Sequence, residues 1–153
     1  ILKHIPTDKQ IFVEIKCSSS VIPELVKIIE NSKLSPEQIN FIAFSYPTIT
    51  LVKKQFPKNN CYWLSAFMED PEAGIVYPDA KELIKRAKNA NLEGLNVSYR
   101  GPLSQDFVKT ILNQGLGFYV WTVNDSNMAK KLTRAGVQGI TTDRPGFLRE
   151  KLQ

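Results

Sequence analysis

Six short apolar runs alternate with stretches of helical spacing along this chain, and that alternation constrains the fold more than any other feature. The runs cover residues 11–17, 39–45, 61–67, 94–100, 117–124 and 137–142. Runs of that length suit strands better than helices. Between them the apolar positions move to one helical face: Leu83, Ile84, Ala87 and Ala90 within 79–91, then Phe107, Val108, Ile111 and Leu112, then Met128, Ala129 and Leu132. Strands alternating with helices predict an α/β fold with a parallel sheet, because parallel neighbours need a crossover connection.

Local punctuation agrees with these boundaries. Ser35-Pro36-Glu37-Gln38 predicts a capped turn leading into Ile39. Asp79 and Asp125 are placed to cap the helices that follow them. Gly115 and Gly136 follow helical runs and suit a left-handed C-terminal residue. No Pro- or Gly-rich linker divides the chain, so residues 1–153 read as one domain. Two architectures fit the alternation. Length favours an open doubly wound sheet, whereas a (β/α)8 barrel needs about 250 residues and eight units.

Composition narrows the functional classes. Twenty Lys and Arg against 15 Asp and Glu give a net charge of +5, but Lys53-Lys54, Lys85-Arg86, Lys88 and Lys130-Lys131 fall in separate segments without interleaved aromatics. They read as solvated helix faces, so nucleic-acid binding is not expected. No apolar run is long enough to span a bilayer. Cys17 and Cys61 are too few for a disulfide scaffold, fit no zinc spacing, and are each expected to pack as small hydrophobes in or beside a strand. They leave the compartment open. His4 is the single histidine, which excludes a two-histidine acid–base pair within these residues. No phosphate-cradling glycine loop is present, which counts against a nucleotide-binding doubly wound sheet.

Three segments hold residues suited to chemistry. In Val13-Glu14-Ile15-Lys16, alternation puts Phe12, Glu14 and Lys16 on one face of a strand. A parallel strand is normally apolar on both faces. Glu14 and Lys16 therefore read either as an ion pair filling the interior, or as a metal-binding carboxylate beside a cation that meets an anionic substrate. Barrel sites form at the C-terminal ends of strands, where this pair falls. In the second segment Trp121 is either core or the apolar wall of a pocket. In the third, Asp143 reads as an N-cap for the helix from Pro145, and Arg144 could reach a phosphate.

Together these segments resemble the C-terminal part of the glycerophosphodiester phosphodiesterase family. The resemblance runs through Glu14-Ile15-Lys16, Phe44-Ser45-Tyr46 with Leu51 and Pro57, Gly94-Leu95-Asn96-Val97-Ser98-Tyr99-Arg100, Trp121-Thr122-Val123-Asn124-Asp125, and Gly139-Ile140-Thr141-Thr142-Asp143-Arg144-Pro145. It implies a (β/α)8 TIM-barrel type of fold, with about six βα units, the third to the eighth, present here. It implies hydrolysis of glycerophosphodiesters to an alcohol and glycerol 3-phosphate with a divalent cation, Ca2+ or Mg2+. By resemblance Glu14 is a metal ligand, Lys16 a contact to the substrate phosphate, and Trp121 a wall of the substrate pocket. The family's H-R-G, E-x-D and H-D motifs, which supply its two catalytic histidines and two further carboxylates, have no counterpart in this sequence, and His4-Ile5 matches neither histidine motif. The chain opens at Ile1 without Met. The expectation is therefore a partial barrel, inactive by itself, whose edges at 11–17 and 137–142 either invite self-association or pair with each other. A non-catalytic phosphoryl-ligand-binding or structural module is the alternative.

Overall fold

The structure, a computed structural model, describes residues 2–153; Ile1, on which the expectation of missing units partly rests, lies outside them. All six runs form strands, though shorter than their apolar length. The strands are β1 (Ile11–Glu14), β2 (Ile39–Ala43), β3 (Asn60–Ser65), β4 (Met68–Asp70), β5 (Ile75–Tyr77), β6 (Gly94–Ser98), β7 (Gly117–Trp121) and β8 (Gly139–Ile140). The helices are α1 (Ile22–Glu30), α2 (Tyr46–Gln55), α3 (Ala80–Asn89), α4 (Gln105–Leu112), α5 (Ser126–Ala135) and α6 (Pro145–Leu152). Strands β1-β2-β3-β6-β7-β8 form one parallel sheet in that order. The pair β4-β5, absent from the sequence reading, is a separate antiparallel hairpin.

The sheet is strongly curled. Phe12 on β1 and Tyr119 on β7 stand four strand spacings apart, about 19 Å if the sheet were flat, yet their ring centroids are 5.8 Å apart. Both also touch Tyr62. Curvature needs missing volume on the concave side, and glycine supplies it. Gly94 and Gly117 are register partners on that face, where a β-carbon on Gly94 would stand 2.1 Å from the Gly117 carbonyl oxygen. A β-carbon on Gly139 would fall 2.5 Å from the Tyr119 ring.

The convex face carries the core. Phe41, Cys61, Leu95, Val97, Phe118 and Val120 are fully buried there, in one cluster with helix residues such as Ile49, Val52, Leu83, Val108 and Ala129. The expected caps form. Asp79 accepts from the Glu82 amide and Asp125 from the Met128 amide, while Gly115 and Gly136 take φ of 74° and 101°. Gln38 accepts from the Ser35 amide and donates to the carbonyls of Pro6 and Lys9, tying down the N-terminal segment.

Three expectations fail. Cys17 is exposed, because the ladder ends at Glu14 and leaves it in the following loop; only Cys61 packs as a hydrophobe. Lys53 is not on a solvated helix face but 9% exposed, its Nζ donating to the carbonyls of Pro57 and Asn59 and to Glu93. Asp143 does not cap α6; Arg144 occupies that position and no side chain caps the helix, while Asp143 accepts from Asn124 instead. β1 and β8 remain the two ends of the sheet and do not pair with each other.

Candidate functional site

The concave face opens at the C-terminal ends of the strands into a hollow of ≈ 220 Å³. Glu14, Lys16 and Trp121 all line it, with Phe44, Leu64 and Asn96 completing most of the wall. A deeper hollow of ≈ 420 Å³ continues along the concave face past Phe12, Ile42, Tyr119 and Thr141, and shares Glu14 and Asn96 with the first. Residues 107 positions apart in sequence thus meet because β1 and β7 curl toward each other.

Each side chain is held by its element. Glu14 is the last residue of β1, and the Ile15 amide still donates to the Ile42 carbonyl, fixing the strand's exit direction. Lys16 Nζ lies 3.3 Å from Glu14 Oε2, but its side chain is 78% exposed against 29% for Glu14. The pair therefore sits at the mouth and does not fill the interior. At such exposure the attraction is worth at most about 1 kcal/mol, so the ammonium can leave it for an incoming anion at little cost. Trp121 Nε1 donates to the Asn96 carbonyl at 3.0 Å, and Phe44 meets the Trp121 ring edge-on at 5.4 Å. The indole is pinned as a wall, and Phe44, 51% exposed, extends that apolar wall to the surface.

Asn96 is the residue that spacing and charge did not single out. It is 3% exposed, and its Oδ1 is enclosed without a hydrogen-bond partner. A buried unpartnered amide oxygen is costly. The signal available in the sequence was an Asn inside an otherwise apolar strand, on the inward-facing register of Leu64 and Tyr119.

The two closing segments are joined by hydrogen bonds. Asn124 Oδ1 accepts from Thr142 Oγ1 and from the Asp143 amide, both at 2.9 Å, and Asn124 Nδ2 donates to Asp143 Oδ2 at 2.8 Å. Arg144 is turned away from the hollow, its guanidinium 4.1 Å from the centroid of the Phe147 ring.

The donor set decides what this hollow can hold. Glu14 is its one carboxylate, and among the described residues no three His, Cys, Asp or Glu side chains converge as a metal site would require. Ca2+ or Mg2+ needs about six or more oxygen ligands. One carboxylate, one enclosed amide oxygen and the hydroxyls of Thr122 and Thr141 do not fit a divalent cation as a complete site. What the hollow offers is one mobile cation, one carboxylate and a rigid apolar wall.

A curled parallel sheet with helices outside and its hollow at the strands' C-terminal ends is the architecture of part of a (β/α)8 barrel. The sequence pattern of the "Glycerophosphoryl diester phosphodiesterase family" matches residues 5–147. This chain belongs to the glycerophosphoryl diester phosphodiesterase family. YhdW of Bacillus subtilis (strain 168), which is named for glycerophosphodiester phosphodiesterase, is 41% identical over 46 residues, 30% of this chain and 19% of that protein. Solved structures of glycerophosphodiester phosphodiesterases share the fold: from Thermotoga maritima at TM-score 0.71 and 21% identity, covering 97% of this chain and 60% of that one, and from Parabacteroides distasonis at 0.72 and 20%, covering 92% and 55%. The chain thus spans little more than half the length of those structures, and its matched segment covers a fifth of YhdW.

Proposed function

We propose that this chain carries the substrate side of a metal-dependent glycerophosphodiester phosphodiesterase, which hydrolyses a glycerophosphodiester to an alcohol and glycerol 3-phosphate. The observation that supports it best is the convergence of Glu14, Lys16 and Trp121 on one hollow at the strands' C-terminal ends. In this reading the Lys16 ammonium takes the phosphoryl oxygens, where it offsets charge that grows as the diester is attacked. The indole of Trp121 packs against the carbons of the glycerol. Glu14 would supply one carboxylate ligand to a Ca2+ or Mg2+ ion, which would offset charge on the phosphoryl oxygens, while the other donors of the hollow do not complete such a site. The family's histidine motifs have no match in this sequence, so the 153 residues bind the product-like half of the substrate but do not turn it over.

Titration of the chain with glycerol 3-phosphate, followed by Trp121 fluorescence or amide chemical shifts, tests this. Binding is expected to be weak and saturable, and Lys16→Ala should weaken it roughly tenfold, as loss of a charge-assisted hydrogen bond of about 1.5 kcal/mol would. Identical titrations of the native chain and the variant overturn the role of Lys16. Release of glycerol 3-phosphate from glycerophosphocholine by the 153 residues, with Ca2+ or Mg2+ added, overturns the inactivity.

A second reading, a phosphoryl-ligand-binding or structural module, is favoured by one observation: the lone carboxylate of the hollow. In either reading β1 and β8 each leave one edge of the sheet unpaired among the described residues, and we propose that these edges support self-association.

A further inference from the structure

Charge is divided by segment around β3. Residues 59–80 hold Glu69, Asp70, Glu72 and Asp79 with no Lys or Arg, in a chain whose net charge is +5. Residues 38–68 hold Lys53, Lys54 and Lys58 with no Asp or Glu. The acidic segment contains the hairpin β4-β5. Phe67 anchors it, with its ring 5.9 Å from that of Phe107 and so close to Gly101 that a β-carbon there would stand 2.1 Å away. Beyond that anchor the strands leave the core. Met68 faces Tyr77 and Asp70 faces Ile75 across the ladder, so Met68, Ile75 and Tyr77 share one face. Met68 and Ile75 are more than half exposed, and Tyr77 and Val76 are exposed as well. Four of the nine large exposed apolar side chains among the described residues thus sit on one short hairpin, a concentration that marks an interaction surface.

Its free charges are Glu69 and Glu72. Asp70 is committed to the turn and Asp79 to the cap of α3, whereas Glu69 and Glu72 form no ion pair among the described residues. A surface of this kind suits a partner that is apolar and basic, and an anionic lipid surface would repel it.

The outer face of α2 has that character. Leu51 is exposed, Lys54 lies three positions on, beside it on the helix surface, and Lys58 follows in the next turn. Lys53 is buried on Glu93, but Lys54 and Lys58 are exposed and form no ion pair among the described residues, although the charge of Lys58 reaches Glu37. α2 ends just before β3 begins, and the hairpin starts just after β3 ends. The two complementary surfaces are therefore separated by the six residues of β3, about 20 Å of strand, and cannot meet within one chain.

We propose that they meet between two copies of this chain, in a two-fold dimer in which the hairpin of each copy docks on the α2 face of the other. Met68, Ile75 and Tyr77 cover Leu51, and Glu69 and Glu72 approach Lys54 and Lys58. Both surfaces flank β3, so two copies lying side by side and antiparallel make the contact twice, as a closed two-fold pair requires. This contact uses neither the central hollow nor the free edges of β1 and β8.

Sedimentation velocity of the native chain over a range of concentrations is the test. A dimer is expected, weaker at high salt because the exposed charge pairs are screened. Replacing Met68, Ile75 and Tyr77 together by Ser should raise its dissociation constant at least about tenfold, with the fold intact by circular dichroism. A charge exchange gives a second measurement. The Glu69→Lys, Glu72→Lys protein and the Lys54→Glu, Lys58→Glu protein should each be monomeric alone and should pair when mixed. A native chain that stays monomeric overturns the proposal, and so does a mixture that stays monomeric. Association that the hairpin variants leave unchanged overturns it too, since pairing at the edges of β1 and β8 would behave in that way.

Discussion

Lys53 illustrates what a single residue's neighbours decide. Its position in a helix next to Lys54 suggests water, but it projects to the foot of the sheet, where two carbonyls and the Glu93 carboxylate receive its ammonium. Glu93 in turn accepts from the Cys61 amide, so one ion pair joins α2, β3 and the entry to β6. Lys53→Met would leave the carboxylate and both carbonyls without their donor. We expect a loss of about 2–3 kcal/mol, the scale of a hydrogen bond to a charged group, read as a lower urea midpoint. Cys61 is fully buried, and burial pushes its thiol from 9.0 up to about 12. The unfolded chain therefore loses this proton first. The associated stability is complete below about pH 9 and is lost as the pH rises toward about 12, by at most about 1.4 kcal/mol per pH unit. Cys61→Ala should flatten that alkaline decline in urea midpoints taken across the range; an unchanged slope would sink the assignment. Residues such as Glu14 and Lys16 were legible because charge in a strand violates a simple rule. Asn96 gave only the weaker signal of a neutral amide between apolar neighbours, and Lys53 gave none, since a lysine in a helix breaks no local pattern until its partners across the sheet are known.

At the scale of elements, the six parallel strands were legible because each run is short, largely apolar or β-branched, and separated from the next by a stretch of helical spacing. Their C-terminal ends were not. The runs continue past Glu14 and Trp121 into residues that have left the ladder, where Ile15 and Val123 stay buried while Lys16 and Thr122 line the hollow. The hairpin β4-β5 was missed for another reason. Its strands are three residues each and carry Glu69 and Asp70, so no period is visible. Only the turn is encoded: Asp70 Oδ1 accepts from the amides of Glu72 and Ala73, and Gly74 takes φ of 64°. Curvature, too, was hidden in residues that read as neutral. Gly94→Ala sets a methyl against the Gly117 carbonyl and must push β6 from β7. Overpacking of that kind costs about 1–3 kcal/mol or more, and because the nearest atoms are backbone we expect the upper end. Thermal or urea unfolding of this variant is the check, and a neutral result would show that the strands can separate cheaply.

For the whole molecule, the governing fact is an arc of six strands with two ends. β1 presents unpaired backbone groups beside Phe12, which is 41% exposed on the concave side. Such edges pair with other chains unless something blocks them. We expect sedimentation velocity to show association that grows with protein concentration; a monomer throughout a wide range would mean that the edges are protected in solution. The barrel type was legible from the order of the motifs and the lack of a phosphate-cradling loop. The curl itself needed the Phe12–Tyr119 distance to become visible.

The Asn124–Thr142–Asp143 cluster has a wider consequence. The two segments by which kinship is most easily recognised are the two that Asn124 clasps together, and none of these three side chains lines the central hollow. That part of the signature is a buckle, not a reagent. It keeps two loops in register whether or not any bond is ever cut beside them. A chain can therefore keep its ancestral signature intact long after its chemistry is gone, and lineage and competence have to be measured separately.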